Sequence, residues 1–133
     1  MGSKRILLVE DYPANVLVAT TLLEDFGYSY EVATTGAEAL AKLKSGEAFH
    51  AALMDVQLGD ALTGFDVTRD LRHWEQQRAG SGEHSSARLP VIAMTAHALE
   101  GDRQRCLDAG MDDYISKPFD PDELREKLTR LAA

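Results

Sequence analysis

Three short apolar runs and one further strand-like segment in this 133-residue chain each end on residues able to do chemistry. Glu10-Asp11 follows Ile6-Leu7-Leu8-Val9, Asp55 follows Ala51–Met54, and Thr95 follows Val91–Met94. Lys117-Pro118 comes just past Asp113–Ser116. Taken singly, an acidic pair is usually a solvated turn, an Asp caps a helix, a Thr satisfies backbone and a Lys-Pro makes a bend. Gathered at one place they mean more. Two carboxylates about 4 Å apart repel by roughly 4 kcal/mol at an effective dielectric of 20, and Glu10 would add a third. A proton, a lysine or a hard divalent cation must offset that repulsion. Oxygen-only ligands suit Mg²⁺, with Mn²⁺ as the alternative ion, rather than zinc. Lys117 supplies a movable positive charge and Thr95 a hydroxyl donor. Acid, metal, lysine and hydroxyl around one carboxylate describe a site that receives a phosphoryl group.

The elements that would gather these groups follow from the hydrophobic pattern. Ile6–Val9 suits a strand buried on both faces. Pro13 opens a helix whose Val16, Ala19, Thr20, Leu23 and Phe26 share one face, and Gly27 ends it. Tyr28–Ala33 alternates, with Tyr28, Tyr30 and Val32 on one side, and reads as an edge strand. Thr35-Gly36-Ala37-Glu38 has capping-box spacing ahead of Leu40 and Leu43. Val67, Leu71 and Trp74 mark a third helix. Leu99–Ala109 is a poor helix by periodicity, with Gly110 as a stop. Asp120-Pro121-Asp122-Glu123 starts the last helix, which carries Leu124, Leu128 and Leu131.

Five strands alternating with five helices predict an α/β domain, a doubly wound parallel sheet with helices on both faces. Ligands in that architecture bind at the C-terminal strand ends, where all four polar groups fall. If the first and third strands are neighbours, as in the common 2-1-3-4-5 order, Asp11 and Asp55 converge. A single domain over 1–133 is expected, its core about 4–132. Residues 76–88, rich in Gln, Gly and Ser, are expected to be a mobile insertion at the opposite edge of the sheet.

Composition narrows the function classes. A net charge of −8 argues against nucleic acid, whose affinity comes from neutralised phosphates, and against anionic membranes. No run approaches the ~20 apolar residues of a membrane span, and the first apolar run is too short for a signal-peptide core. Cys106 is the only cysteine, so no internal disulfide or thiolate metal site can form, and the cytoplasm is the simplest compartment. His50, His73 and His84 show no metal spacing. Trp74 reads as core and Cys106 as a thiol without chemistry.

The segments Ile6–Asp11, Met54-Asp55-Val56-Gln57, Met94-Thr95-Ala96-His97-Ala98 and Gly110–Phe119 resemble, in order and spacing, a response-regulator receiver domain. Those of hybrid sensor histidine kinases are the most similar. The resemblance implies a single (βα)5 flavodoxin-like domain with strand order 2-1-3-4-5, and residue roles within it. Asp55 would be the phosphoacceptor, and a histidine kinase or histidine phosphotransfer protein the donor. Asp11 would bind Mg²⁺, with Glu10 helping and the Gln57 backbone carbonyl completing the protein ligands. Lys117 would pair with Asp55 and then with the phosphoryl oxygens. Thr95 and Tyr114 would be the switch pair, Gln57 and His97 would tune hydrolysis, and the Lys117–Pro118 peptide would be cis. The fourth helix would be the moving part, controlling an output or kinase domain. One departure stands out: Leu58–Gly64 lacks the proline usual in the family and is one residue longer. A pseudo-receiver acting purely as a binding module would typically lose Asp55, Lys117 or the acidic pair. A magnesium-dependent phosphohydrolase would usually carry an Asp where Gln57 stands, and a flavodoxin would want hydroxyls and glycines where Glu10-Asp11 stands.

Overall fold

A computed structural model describes residues 4–45, 48–57, 62–80, 88–95, 100–117 and 119–132. Strands and helices alternate along the chain: β1 (Arg5–Val9), α1 (Pro13–Asp25), β2 (Ser29–Ala33), α2 (Gly36–Leu43), β3 (Ala51–Asp55), α3 (Gly64–Gly80), β4 (Val91–Thr95), α4 (Glu100–Asp108), β5 (Asp113–Ser116) and α5 (Pro121–Leu131). All strand pairs are parallel, in the order β2-β1-β3-β4-β5. This is the flavodoxin-like architecture that the alternation and the resemblance predict. β2 lies at an edge, and its burial is partial, as its alternating pattern requires.

The period-two alternation of each strand sorts its side chains between two cores. Ile6, Leu8, Leu53 and Ile92 join Ala19 and Leu23 of α1 and Leu124 and Leu128 of α5 on one face. Leu7, Val9, Met54 and Ala93 join Leu43 of α2, Val67 and Leu71 of α3 and Cys106 of α4 on the other. Trp74 packs against this second core, as its helical spacing predicts. Each fully buried Leu or Ile contributes about 1.5–3 kcal/mol, so the sheet is anchored from both sides.

Local signals set the helix ends. Gly27 and Gly110 adopt φ of 86° and 99° and stop α1 and α4, a conformation other residues rarely reach. The Asp120 side chain accepts from the Asp122 N–H at 3.0 Å, capping α5. At α2 the Glu38 N–H donates to Thr35 Oγ1 at 3.0 Å, but the Glu38 carboxylate accepts from the Thr34 N–H at 2.8 Å rather than from that of Thr35. The capping box is therefore offset by one residue.

The first residues of the segment 76–88, expected to be a mobile insertion, are helical. Gln76–Gly80 continue α3, because Gln, Arg and Ala are good helix formers and Gln77 Nε2 meets His73 Nε2 one turn back at 3.2 Å. Residues 81–87 lie outside the described part. The chain on either side is clasped by ion pairs. Arg72 bonds Glu75, Asp112 and the Gly110 carbonyl, all at 2.9 Å. Arg88 reaches the same carbonyl at 2.8 Å and Asp112 at 3.1 Å.

Gly64 explains why a glycine must end the β3–α3 connection. A Cβ there would sit 2.2 Å from the Asp55 carbonyl oxygen. Gly64→Ala is expected to push α3 off the end of β3 and cost about 1–3 kcal/mol, the usual range for overpacking. A urea midpoint checks this; an unchanged midpoint would mean that the connection has slack.

Candidate functional site

Parallel register lines up the C-terminal strand ends. Val9 pairs with Met54, which brings Glu10 level with Asp55. Asp55 pairs with Met94 and Thr95 with Ser116, so Thr95 and Lys117 continue the same edge one step further. Three backbone bonds hold the ends: Glu10 N–H to the Ala33 carbonyl at 3.0 Å, Val56 N–H to Met94 at 3.2 Å and Lys117 N–H to Thr95 at 2.8 Å.

These groups meet. Glu10, Asp11 and Asp55 each offer a carboxylate oxygen within 4.8 Å of the others. Glu10 is 0% and Asp55 4% exposed, while Asp11 faces outward beside them. Lys117 Nζ donates to Glu10 Oε1 at 2.8 Å and lies 3.3 Å from Asp55 Oδ2. The lysine thus pairs with Asp55, as the resemblance implied, but sits between two carboxylates and closer to Glu10. The Gln57 N–H donates to Asp55 Oδ1 at 3.1 Å, and the Tyr12 N–H to Glu10 Oε2 at 3.2 Å. Thr95, 4% exposed, ends the strand next to Asp55.

Electrostatics splits the two buried carboxyls. Burial pushes Asp55 up to about 6, helped by the hydrogen bond and negative charge of Glu10 and opposed by the Gln57 N–H and Lys117. Burial also raises Glu10, but hydrogen bonds from Asp55, Lys117 and Tyr12 outweigh it and hold Glu10 below its ordinary value. The pair titrates as a unit, with the first proton residing on Asp55. All protein donors in reach are oxygens, two of them buried carboxylates that one lysine only half neutralises. That donor set fits a hard divalent cation.

Tyr114 packs, half-buried, against the core that contains Cys106 and Met111, and Lys127 of α5 holds its Nζ 5.7 Å from the ring centroid. Gln57 is at the edge of the site with its side chain exposed. His97 and Pro118 lie outside the described residues, as do 58–61 of the unusual loop. The structure adds residues that pattern reading did not single out. The Tyr12 N–H acts through the backbone, which leaves no signature in side-chain types. Arg105 of α4 stacks its guanidinium carbon 5.0 Å from the Phe65 ring centroid beside the site; a surface arginine on a weakly amphipathic helix carries no signal of that contact.

Comparison with known proteins agrees with this geometry. The family described as response regulator receiver domain matches residues 6–129. The sensor protein GacS of Pseudomonas syringae is 39% identical over 126 residues, covering 95% of this chain and 13% of GacS. The chain therefore spans about one-eighth of such a curated relative. The Ssk1 receiver domain of Saccharomyces cerevisiae, in its co-crystal with the histidine phosphotransfer protein Ypd1, superposes with a TM-score of 0.88 at 31% identity, covering 98% of this chain and 90% of that one. The receiver domain of sensor histidine kinase PA1611 from Pseudomonas aeruginosa, solved with a magnesium ion in its active site cleft, gives 0.79 at 38% identity, covering 98% of both chains.

Proposed function

The chain belongs to the response regulator receiver family, and on that premise we propose that Asp55 is its phosphoacceptor. A receiver domain is a regulatory phosphoacceptor module rather than an independent enzyme. The observation that carries the assignment is a buried carboxyl poised near neutrality, in contact with Lys117 and next to the Thr95 strand end.

The donor is a phosphohistidine on a histidine kinase or a histidine phosphotransfer protein, the partner present in the Ssk1 co-crystal. An Asp55 oxygen bonds to phosphorus while the phosphorus–nitrogen bond breaks. The imidazole nitrogen keeps the electron pair and takes a proton from solvent. Glu10, Asp11, Asp55 and the Gln57 carbonyl would hold Mg²⁺, as the PA1611 receiver holds it in its cleft. When bound, the ion supplies positive charge to the phosphoryl oxygens. Lys117 orients Asp55 and is within reach of the same oxygens. Thr95 is the hydroxyl that turns toward the new group, and Tyr114 follows it, biasing the surface formed by α4 and β5. Gln57 and His97 tune how long the group lasts.

The partner needs a surface beside the acceptor. Tyr12, Leu17 and Val18, on and just before α1, are 61%, 68% and 48% exposed, an apolar strip near Glu10 that suits docking of a donor protein. Residues 1–133 act as one receiver unit, serving an output or kinase domain in the same chain or in trans. Among the described residues no helix is long and apolar enough to cross a membrane. We take the compartment to be the cytoplasm, since phosphohistidine donors draw on ATP.

Incubation with acetyl phosphate and Mg²⁺ is expected to add a single phosphoryl group by intact-mass spectrometry, and chelator should abolish it. If neither an adduct nor beryllofluoride binding appears, the module binds partners without phosphorylation.

A further inference from the structure

Asp113 and Tyr114 open β5, an edge strand of the sheet, and α5 reaches back to that edge with two cations. Lys127 Nζ donates to Asp113 Oδ1 at 2.9 Å and Arg130 Nη2 to Asp113 Oδ2 at 2.7 Å. The Tyr114 N–H donates to the same Oδ1 at 2.8 Å. Burial raises the Asp113 carboxyl, but the hydrogen bonds from Lys127, Tyr114 and Arg130 outweigh it and hold the group below its ordinary value, so this anchor stays charged. The Lys127 side chain is 13% exposed, and its Nζ lies 5.7 Å from the centre of the Tyr114 ring. The ammonium is thus tied to the carboxylate that binds the Tyr114 backbone, not to the ring itself. A turn of the ring about its side-chain bonds would leave the cation behind. The ring has a path to the acceptor through the sheet. Tyr114 pairs with Ala93 and both pack in the same core. Period-two alternation puts Thr95 on that face too, diagonal to Tyr114 and one residue past Met94, the partner of Asp55.

We propose that Lys127 is a positioning residue for the switch: its ammonium holds the Tyr114 ring in the place seen here and so opposes the turn that follows phosphorylation. The inference rests on Asp55 being the acceptor and on Tyr114 following Thr95. A cation near an aromatic ring is attracted to the electron-rich face, so it stabilises one ring position and not another. Asp113 keeps that cation from following, and Glu123, exposed and 3.7 Å away, is a second, weaker tether. The turn therefore costs the contact. A lysine that only shielded the open edge of β5 from pairing with another strand would need Asp113 but no ring beside it. Lys127 acts through Tyr114, away from the reacting atoms.

Beryllofluoride with Mg²⁺ serves as the probe, standing in for the phosphoryl group, with its affinity read by titration calorimetry. Lys127→Met is expected to raise that affinity by about two- to fivefold, the range for one cation–π contact. The sign separates the ring from the charge, because removing a positive charge would by itself weaken an anion's binding. Lys127→Arg should stay near the parent, since a guanidinium can pair with Asp113 and lie over the ring. Tyr114→Leu keeps apolar volume without a π-face, and adding Lys127→Met to it should give no further gain. The Tyr114 ring resonances of the metal-free protein give a second readout that needs neither the anion nor the leucine variant, and they should move in Lys127→Met. Unmoved resonances would show that Lys127 does not hold the ring. Moved resonances with unchanged or weaker binding would show that the ring does not turn with the switch. An equal gain in the Tyr114→Leu background would show that Lys127 acts by another path. Each of these overturns the proposal. No beryllofluoride binding by the parent would instead refute the acceptor assignment, and the switch role of Lys127 with it.

Discussion

Asp55→Asn is expected to abolish phosphoryl uptake and, at the same time, to make the metal-free domain more stable at pH 8. The first effect follows from chemistry: the amide has no carboxylate oxygen to form an acyl phosphate. The second follows from the strain of the site. Asp55 ionises at about 6 in the folded protein against an ordinary 3.8, a difference of about two units, or roughly 3 kcal/mol at 1.36 kcal/mol per unit. Because the folded value is the higher one, the native state holds a proton that the unfolded chain has released between those two pH values. Stability therefore falls as pH rises through that window, and the full cost is present above it. Glu10 works in the opposite sense: its value is lowered, so its contribution is present at neutral pH and fades as acid protonates it. The variant should gain about 2–3 kcal/mol at pH 8 and little near pH 4, read from urea midpoints at both. Mg²⁺ should raise the melting temperature of the parent more than that of the variant. Equal midpoints at pH 8 would mean that the buried carboxylates are not in conflict.

Lys117→Met is the second large effect. It leaves Glu10, wholly buried, and Asp55 without their shared cation. Breaking a buried ion pair from one side typically costs 3–5 kcal/mol, and a loss of about 3 kcal/mol is expected in the metal-free protein at pH 8. Acetyl phosphate labelling should slow by about a hundredfold, as when one preorganised charge is removed from a reacting centre. Lys117→Arg should not restore it, because the planar guanidinium cannot occupy a point between two carboxylates. Adding Asp55→Asn to Lys117→Met should recover much of the lost stability, since one uncompensated charge then remains instead of two. Strictly additive single and double variants would show that Lys117 and Asp55 are not coupled.

Much of the site is legible in residue order because a parallel α/β sheet sends every strand end to the same edge. Glu10, Asp55 and Thr95 each follow an apolar run and Lys117 follows the short strand Asp113–Ser116, and that placement alone brings them to one side. Their adjacency needs the strand order, which alternation does not specify; the resemblance supplies 2-1-3-4-5 and the register shows it. Composition misled at α3, where Gln76-Gln77-Arg78-Ala79-Gly80 reads as the start of a loop yet extends the helix to Gly80, because local propensity rather than hydrophobic spacing decides where the helix ends. The capping box at Thr35 shows the same limit on a smaller scale. Its spacing is right, but the carboxylate chose the N–H one residue earlier.

The sequence by itself therefore determined the elements, the edge on which the chemistry stands and the kinds of group present there, since these depend on periodicity and on side-chain type. Only the tertiary structure decided how those groups share charge. That Lys117 lies nearer Glu10 than Asp55, that the proton goes to Asp55, and that Arg105 of α4 stacks on the Phe65 ring of α3 are consequences of burial and distance between residues far apart in the chain. Desolvation and Coulomb energy act through space, and no spacing along the chain encodes them.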